Sequence, residues 1–151
     1  MAYDHPDAVK LVERVQEFYV ERYGSRDDDP TEPAMFEPPA GAFYLGYVDD
    51  TPVATGAWRR EHTRRLGATN PAEIKRMYVV PEAQRRGYAR LMLAHLERTA
   101  AAAGHDALLL SSGERQPEAL ALYASAGYVR VEQFGHYAGA ELNVCMAKRI
   151  A

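Results

Sequence analysis

Residues 73–104 read EIKRMYVVPEAQRRGYARLMLAHLERTAAAAG, which describes a strand, a sharp turn and then a helix. Ile74, Met77, Tyr78, Val79 and Val80 concentrate the β-branched and aromatic side chains that suit a pleated surface. Pro81 ends the strand because it has no N–H to give to a ladder. Beyond it, Arg86, Gly87, Tyr88 and Ala89 open a helix whose apolar residues Ala89, Met92, Leu96, Ala100 and Ala103 fall at helical spacing. Gly104 supplies the stop.

A junction of this kind presents a row of backbone N–H groups at a helix N-terminus, where about half a positive charge from the helix dipole faces outward. That is a ready anion site. Gly87 lets a ligand approach the backbone, Ala89 keeps the next approach almost as open, and Gln84, Arg85, Arg86 and Arg90 add donors and positive charge. A polyphosphate is the natural guest. Taken alone, the same residues also read as an ordinary strand-to-helix turn with solvated arginines.

The spacing adds to this. Gln84, Arg85, Arg86, Gly87, Tyr88 and Ala89 match a (Gln/Arg)-x-x-Gly-x-(Gly/Ala) loop, and Glu73 stands fourteen residues before Gly87. Downstream, residues 111–128 read SSGERQPEALALYASAGY, a strand end, a loop, and a helix closing on Tyr-x-x-x-Gly-Tyr. These two motifs, in this order and at this distance, resemble those of the GNAT family of acetyl-CoA-dependent N-acetyltransferases. The resemblance covers about residues 42–148 and is weakest at the N-terminus.

Size and composition agree with a soluble globular protein. A chain of 151 residues makes one domain and can bury a substantial core; its hydrophobic content is 47% and its charged content 26%. A formal net charge of -3 argues against bulk nucleic-acid binding, which needs a surplus of Lys and Arg. Cys145, the single cysteine, lies in an apolar strand and reads as a small core residue in a reducing compartment. No apolar run approaches the ~20 residues that span a bilayer, and the start with Asp4 and Asp7 is not a signal peptide, so the reading is cytoplasmic with no membrane partner.

Along the chain, Leu11, Val12, Val15, Phe18 and Tyr19 define one face of a first helix over residues 6–23, with Asp4 as N-cap and Gly24 as stop. Relatives begin with a strand before this helix; only residues 1–3 are available for it here. Residues 25–41, with Pro30, Pro33, Pro38 and Pro39, form a loop. Its acidic residues Asp27, Asp28, Asp29, Glu32 and Glu37 either attract a cationic amine or are simply solvated. Strands at 42–48 and 52–60 join in a hairpin at Asp49, Asp50 and Thr51, and Trp58 on the second packs the sheet or lines a pocket. The strand at 73–80 completes an antiparallel meander. Strands at 107–112, 128–133 and 142–148 follow, with a helix between Pro117 and Gly127. A strand, helix, strand order makes the middle pair parallel. The expected fold is α/β: a mixed, mostly antiparallel sheet with flanking helices. By resemblance, the parallel pair splays to admit the pantetheine arm.

The resemblance also assigns roles. The backbone of Tyr78 and Val79 would hold the pantetheine and acetyl group, one strand N–H serving as an oxyanion donor. The loop of Gln84, Arg85, Arg86, Gly87, Tyr88, Ala89 and Arg90 would hold the pyrophosphate. Gln116 stands where many relatives carry a CoA-contacting asparagine. Glu73 is the candidate base for the amine, unless it merely pairs with Lys75, Arg76 or another sheet neighbour. Tyr123 is the candidate acid for the leaving thiolate, unless it is a core tyrosine; at reference pKa values near 10 and 8.5 that transfer is uphill by about 2 kcal/mol. Phe134, Gly135, His136 and Tyr137 precede the last strand and either face the acceptor or are incidental, as a lone loop histidine such as His136 more often is. The implied donor is acetyl-CoA, no metal is implied, the acceptor is a primary amine of a small molecule or peptide, and relatives are often homodimers. A non-catalytic acyl-CoA-binding module on the same fold is the rival reading. A Rossmann domain is disfavoured because no Gly-x-Gly-x-x-Gly follows the first strand.

Overall fold

Between Val48 and Thr51 the chain reverses on only two residues, Asp49 and Asp50, with φ of 48° and 67°. Two left-handed residues in a row make the type I′ turn, whose twist matches that of paired strands. It joins β1 (Gly41–Val48) to β2 (Thr51–Arg60), as the turn residues imply. The computed structural model describes residues 5–11, 13–14, 33–113, 116–134 and 143–151. Residues 6–11 and 13–14 are helical (α1); the rest of the expected first helix, the first three residues, the acidic residues 27–29 and 32, and residues 135–137 lie outside the described residues.

The remaining elements are β3 (Pro71–Val79), α2 (Tyr88–Ala102), β4 (Ala107–Gly113), α3 (Pro117–Ser125), β5 (Val129–Arg130) and β6 (Asn143–Arg149). They form one sheet in the order β1-β2-β3-β4-β6-β5, with β3 and β4 parallel and every other neighbouring pair antiparallel. This is the mixed sheet the sequence implies. Two boundaries differ from expectation. β3 starts at Pro71 rather than Glu73, because Pro71 and Ala72 pair with Ala107 and Leu108; a strand's first residue is where proline is tolerated. β5 is two residues long rather than six, since Tyr128 is taken up in closing α3 and the pairing with β6 covers only Val129 and Arg130.

Period-2 alternation divides the core between the two faces of the sheet. On one face Trp58, Ile74, Leu108 and Leu110 meet Leu93 and Leu96 of α2. Trp58 is 4% exposed and donates from Nε1 to Thr99 Oγ1 at 3.1 Å, so it packs the sheet. Gly56 makes the close approach possible, since a Cβ there would sit 2.7 Å from Met92 Cγ. On the other face lie Phe36, Phe43 and Ala57, and farther along Leu109, Cys145 and Ala147. Cys145 is buried, as its apolar strand suggested.

Both long helices end in the same way. Gly104 (φ 97°) and Gly127 (φ 100°) follow α2 and α3, with N–H bonds from His105 to Ala100 and from Tyr128 to Tyr123, each 3.0 Å. These six-to-one bonds are Schellman closures, which need the left-handed conformation that glycine supplies.

The hairpin turn carries conformational strain that glycine would relieve. A left-handed backbone costs an L-residue about 1 kcal/mol, less for aspartate, so Asp50→Gly is expected to raise stability by about 0.5 kcal/mol. A higher urea midpoint with unchanged slope is the expected reading; a lower midpoint would show that the Asp50 side chain contributes more than the turn geometry.

Candidate functional site

β3 and β4 are hydrogen-bonded only at Pro71, Ala72 and Glu73, opposite Ala107, Leu108 and Leu109. Beyond these pairs each strand keeps its outer partner, β3 pairing with β2 as far as Val79 and β4 with β6 as far as Gly113. The two strands therefore part into a V whose apex is Glu73. A bulge lies just past the apex: Gly56 of β2 is opposed by two residues, Arg76 and Met77, and Arg76 is left-handed at φ 57°. An extra residue bends a strand and increases its twist, which carries the second half of β3 away from β4. Thr55 Oγ1, fully buried, donates to the Arg76 carbonyl and fixes the bulge from β2.

The opening exposes backbone. Val80 donates to Val53 at 2.9 Å, which makes Val79 and Ala54 a non-hydrogen-bonded pair. The N–H and C=O of Val79 consequently face the opening, while alternation turns those of Tyr78 toward β2. Gln84 Nε2 donates to the Val79 carbonyl at 3.0 Å, so this loop glutamine braces the end of the strand.

At the mouth of the V the chain turns through Pro81–Ala83 and Arg85 (φ 64°) to Gly87 (φ 84°), the N-cap of α2. No side chain caps this helix and no acidic residue stands in its first turn. The first intrahelical bond runs from Leu91 N to Gly87 O at 3.0 Å. The N–H groups of Tyr88, Ala89 and Arg90 therefore have no acceptor within the helix, and they carry the positive end of its dipole. A Cβ built on Gly87 meets nothing within 4 Å, so the space in front of these donors is open. Arg85 and Arg86 are exposed beside it; Arg90 reaches across to Ser125 Oγ at 2.8 Å, tying α2 to α3. These residues fit a polyphosphate.

Glu73 is 4% exposed and is held by its cross-strand neighbour Arg59, whose Nε and Nη2 donate to Oε1 at 3.2 and 3.1 Å. The sequence reading allowed a sheet neighbour as partner for Glu73 but did not name Arg59. Its pairing follows from hairpin register, which sets Arg59 opposite Glu73. Gln116 is the N-cap residue of α3, and its carbonyl accepts from Ala119 and Leu120 at 3.1 Å.

Tyr123, on α3, is 7% exposed, and its ring packs edge-on against that of Tyr128 with centroids 5.8 Å apart. Burial pushes its hydroxyl up to about 12. Protonation of a thiolate by such a group is uphill by about 5 kcal/mol at the thiol's reference pKa, more than the 2 kcal/mol that reference values give. A thiolate buried beside it would be raised for the same reason, which narrows the gap.

The fold recurs in known proteins. The chain belongs to the acetyltransferase (GNAT) family, whose model matches residues 10–128. A relative named IAA acetyltransferase, from Azospirillum brasilense, is 29% identical over 140 residues, 93% of this chain and 88% of its own. A solved chain from Klebsiella pneumoniae subsp. pneumoniae, assigned as an acyl-CoA N-acyltransferase, superposes with a TM-score of 0.80 at 22% identity, over 100% of this chain and 94% of that one. The PaiA N-acetyltransferase of Thermoplasma acidophilum, solved in complex with coenzyme A, gives a TM-score of 0.59 at 15% identity, over 73% of this chain and 61% of its own.

The raised hydroxyl has a consequence for stability. Between pH 10 and 12 the folded chain keeps a proton on Tyr123 that the unfolded chain loses, so stability is full below pH 10 and falls as pH rises through 12. Denaturant midpoints measured from pH 8 to 11.5 are expected to fall less steeply in Tyr123→Phe than in the wild type, the difference approaching about 2 kcal/mol at the top of the range. Parallel curves would mean that Tyr123 is already solvated.

Proposed function

We propose that the protein is an N-acetyltransferase that moves the acetyl group of acetyl-CoA to the primary amine of a small molecule or a peptide. The observation that carries this reading is the V between β3 and β4 opening onto the uncapped N-terminus of α2. One continuous surface offers a strand-edge N–H at Val79 and, at its mouth, a cluster of free N–H donors with arginines alongside. A thioester joined through an extended arm to a pyrophosphate has this distribution of polar groups. Acetyl-CoA supplies the activated acyl carbon. The chain binds the pyrophosphate at residues 84–90, with Gln116 near the start of α3, and aims the Val79 N–H at the carbonyl oxygen where negative charge develops.

An alkyl ammonium with a reference pKa near 10.4 is neutral in only about one molecule per thousand near neutral pH, so a base is useful. Glu73, at the apex, takes that proton directly or through a water, and Arg59 fixes the carboxylate in place. The amine nitrogen then bonds to the acyl carbon and gives up its second proton to water, the C–S bond breaks, and the thiolate takes the proton of Tyr123, which water restores. Among the described residues the Tyr123 hydroxyl has no hydrogen-bond partner, which leaves it available to the sulfur.

Calorimetric titration with acetyl-CoA tests the donor site. Micromolar binding is expected, lost by more than tenfold in Gly87→Glu, whose side chain would fill the open space before the helix with negative charge. Absence of binding in the wild type would sink the reading. Thiol release across a panel of amines separates an enzyme from a module that only binds. For the roles within the site, Tyr123→Phe is expected to lower kcat at least tenfold with little change in KM for acetyl-CoA, and Glu73→Gln to flatten the acidic limb of the pH–rate profile. Full turnover at every pH in either variant would return that residue to a structural role.

A further inference from the structure

We propose that Tyr128, anchored on Glu97, is a positioning residue that sets Tyr123 relative to the cofactor loop. Tyr128 follows the glycine that ends α3, and three contacts fix it. Its N–H donates to the Tyr123 carbonyl at 3.0 Å, its ring lies against the Tyr123 ring at 63°, and its hydroxyl donates to Glu97 Oε2 at 3.0 Å. Glu97 belongs to α2, the helix whose N-terminus forms the anion site. Its other oxygen takes Lys148 Nζ of β6 at 3.1 Å, so the carboxylate is itself held and cannot simply follow the tyrosine. The ammonium also sits 5.7 Å from the centre of the Tyr128 ring.

This chain of contacts runs from the helix that meets the donor to the ring assigned as acid. Arg90 and Glu97 stand seven residues apart, two turns of α2, and both reach the α3 region, Arg90 at Ser125 and Glu97 at Tyr128. Two side-chain ties thus fix the end of α3 and the residue beyond its cap against α2, both just C-terminal to Tyr123. The hydroxyl of Tyr128 is 3% exposed at the residue level, and burial together with the Glu97 charge holds it protonated, so it remains a donor. A phenylalanine would fill the same core position; the hydroxyl is required only for the tie to Glu97.

The inference rests on Tyr123 acting as the acid, and the test separates the two. Tyr128→Phe keeps the ring, the main-chain bond and the Glu97–Lys148 pair, and removes a single hydrogen bond. The expected result is a fall in kcat of about fivefold with KM for acetyl-CoA within twofold. Glu97→Gln, whose amide oxygen still accepts, is expected to keep most of the activity, and Glu97→Ala to match Tyr128→Phe without adding to it in the double variant. In parallel, the ring resonances of 13C-labelled Tyr123 are followed by NMR in wild type and Tyr128→Phe. Shifted or broadened Tyr123 signals are expected whether or not the enzyme turns over the amines supplied. Tyr123 signals and kcat both unchanged in Tyr128→Phe would overturn the positioning role. Changed signals with full turnover in Tyr123→Phe would instead remove the acid and leave the tie as a structural contact.

Discussion

A parallel ladder that stops after three pairs governs this structure. Backbone N–H and C=O groups are obligatory hydrogen-bonding groups, and most proteins satisfy them within the sheet. Here two central strands, each fully paired on its outer side, leave their facing edges open beyond Glu73 and Leu109. An open edge in the middle of a sheet cannot close by sliding, because the bulge at Arg76 has already turned β3 aside. The bulge is in turn fixed by the buried Thr55 hydroxyl on the carbonyl of Arg76. The cleft is therefore a property of the backbone, secured from β2.

The two helices on the crossover connections complete what the strands begin. α2 packs its apolar face on β2 and β3, with Gly56 allowing Met92 to come close, and this places the helix N-terminus at the mouth of the opening. α3 carries Tyr123 into the core beneath α2, and two ties from α2 reach the end of α3 and the residue after its cap. Position thus flows from packing: α2, with its uncapped N-terminus, and α3, which carries the tyrosine, are referenced to each other through Arg90 and Glu97. The ribbon of polar contacts at Asp106 does similar work at the other end of the V. Its carboxylate accepts from the N–H groups of Thr69 and Asn70 at 2.7 and 2.9 Å, and these bonds, that of Thr69 foremost, hold it below the usual carboxylate range. They fasten the entry to β3 beside the start of β4, where the parallel pairs are made.

Local signals were enough to read most of the elements. The β1–β2 hairpin, β4, α2 and α3 lie within a residue or two of their sequence limits, because each carries its own punctuation in Asp49 and Asp50, Pro117, Gly104 and Gly127. The first turn of β3 and the brevity of β5 were not legible, since both depend on which strand lies alongside rather than on the segment itself. The same distinction holds at the site. The turn from Gln84 into α2 could be read from spacing, because a helix N-terminus after a glycine is a local feature. That Arg59 grips Glu73, or that Glu97 grips Tyr128, could not, for these are consequences of register and of helix placement across 14 and 31 positions of sequence.

Sequence alone left Tyr123 as either a core residue or a reacting one, and burial does not by itself decide between the two. An apolar helix face with one tyrosine suggests packing, and the residue is indeed buried and stacked on Tyr128. Yet the core it joins is bounded by an open strand edge, so a residue can be buried by its neighbours and still lie close to a cleft. Burial then acts in two directions. It makes the hydroxyl a weaker acid, at about 12, and it also keeps the proton on the oxygen throughout the neutral range. A group meant to deliver a proton to a sulfur that has just lost its bond must be protonated before the event and close to the sulfur during it. In the role proposed for Tyr123, desolvation would secure the first condition, and the contacts through Tyr128 and Glu97 would bear on the second. The cost in intrinsic acidity is offset only if the departing thiolate shares the same poorly solvated surroundings, which ties the chemistry of this residue to the depth of the cleft rather than to its own pKa.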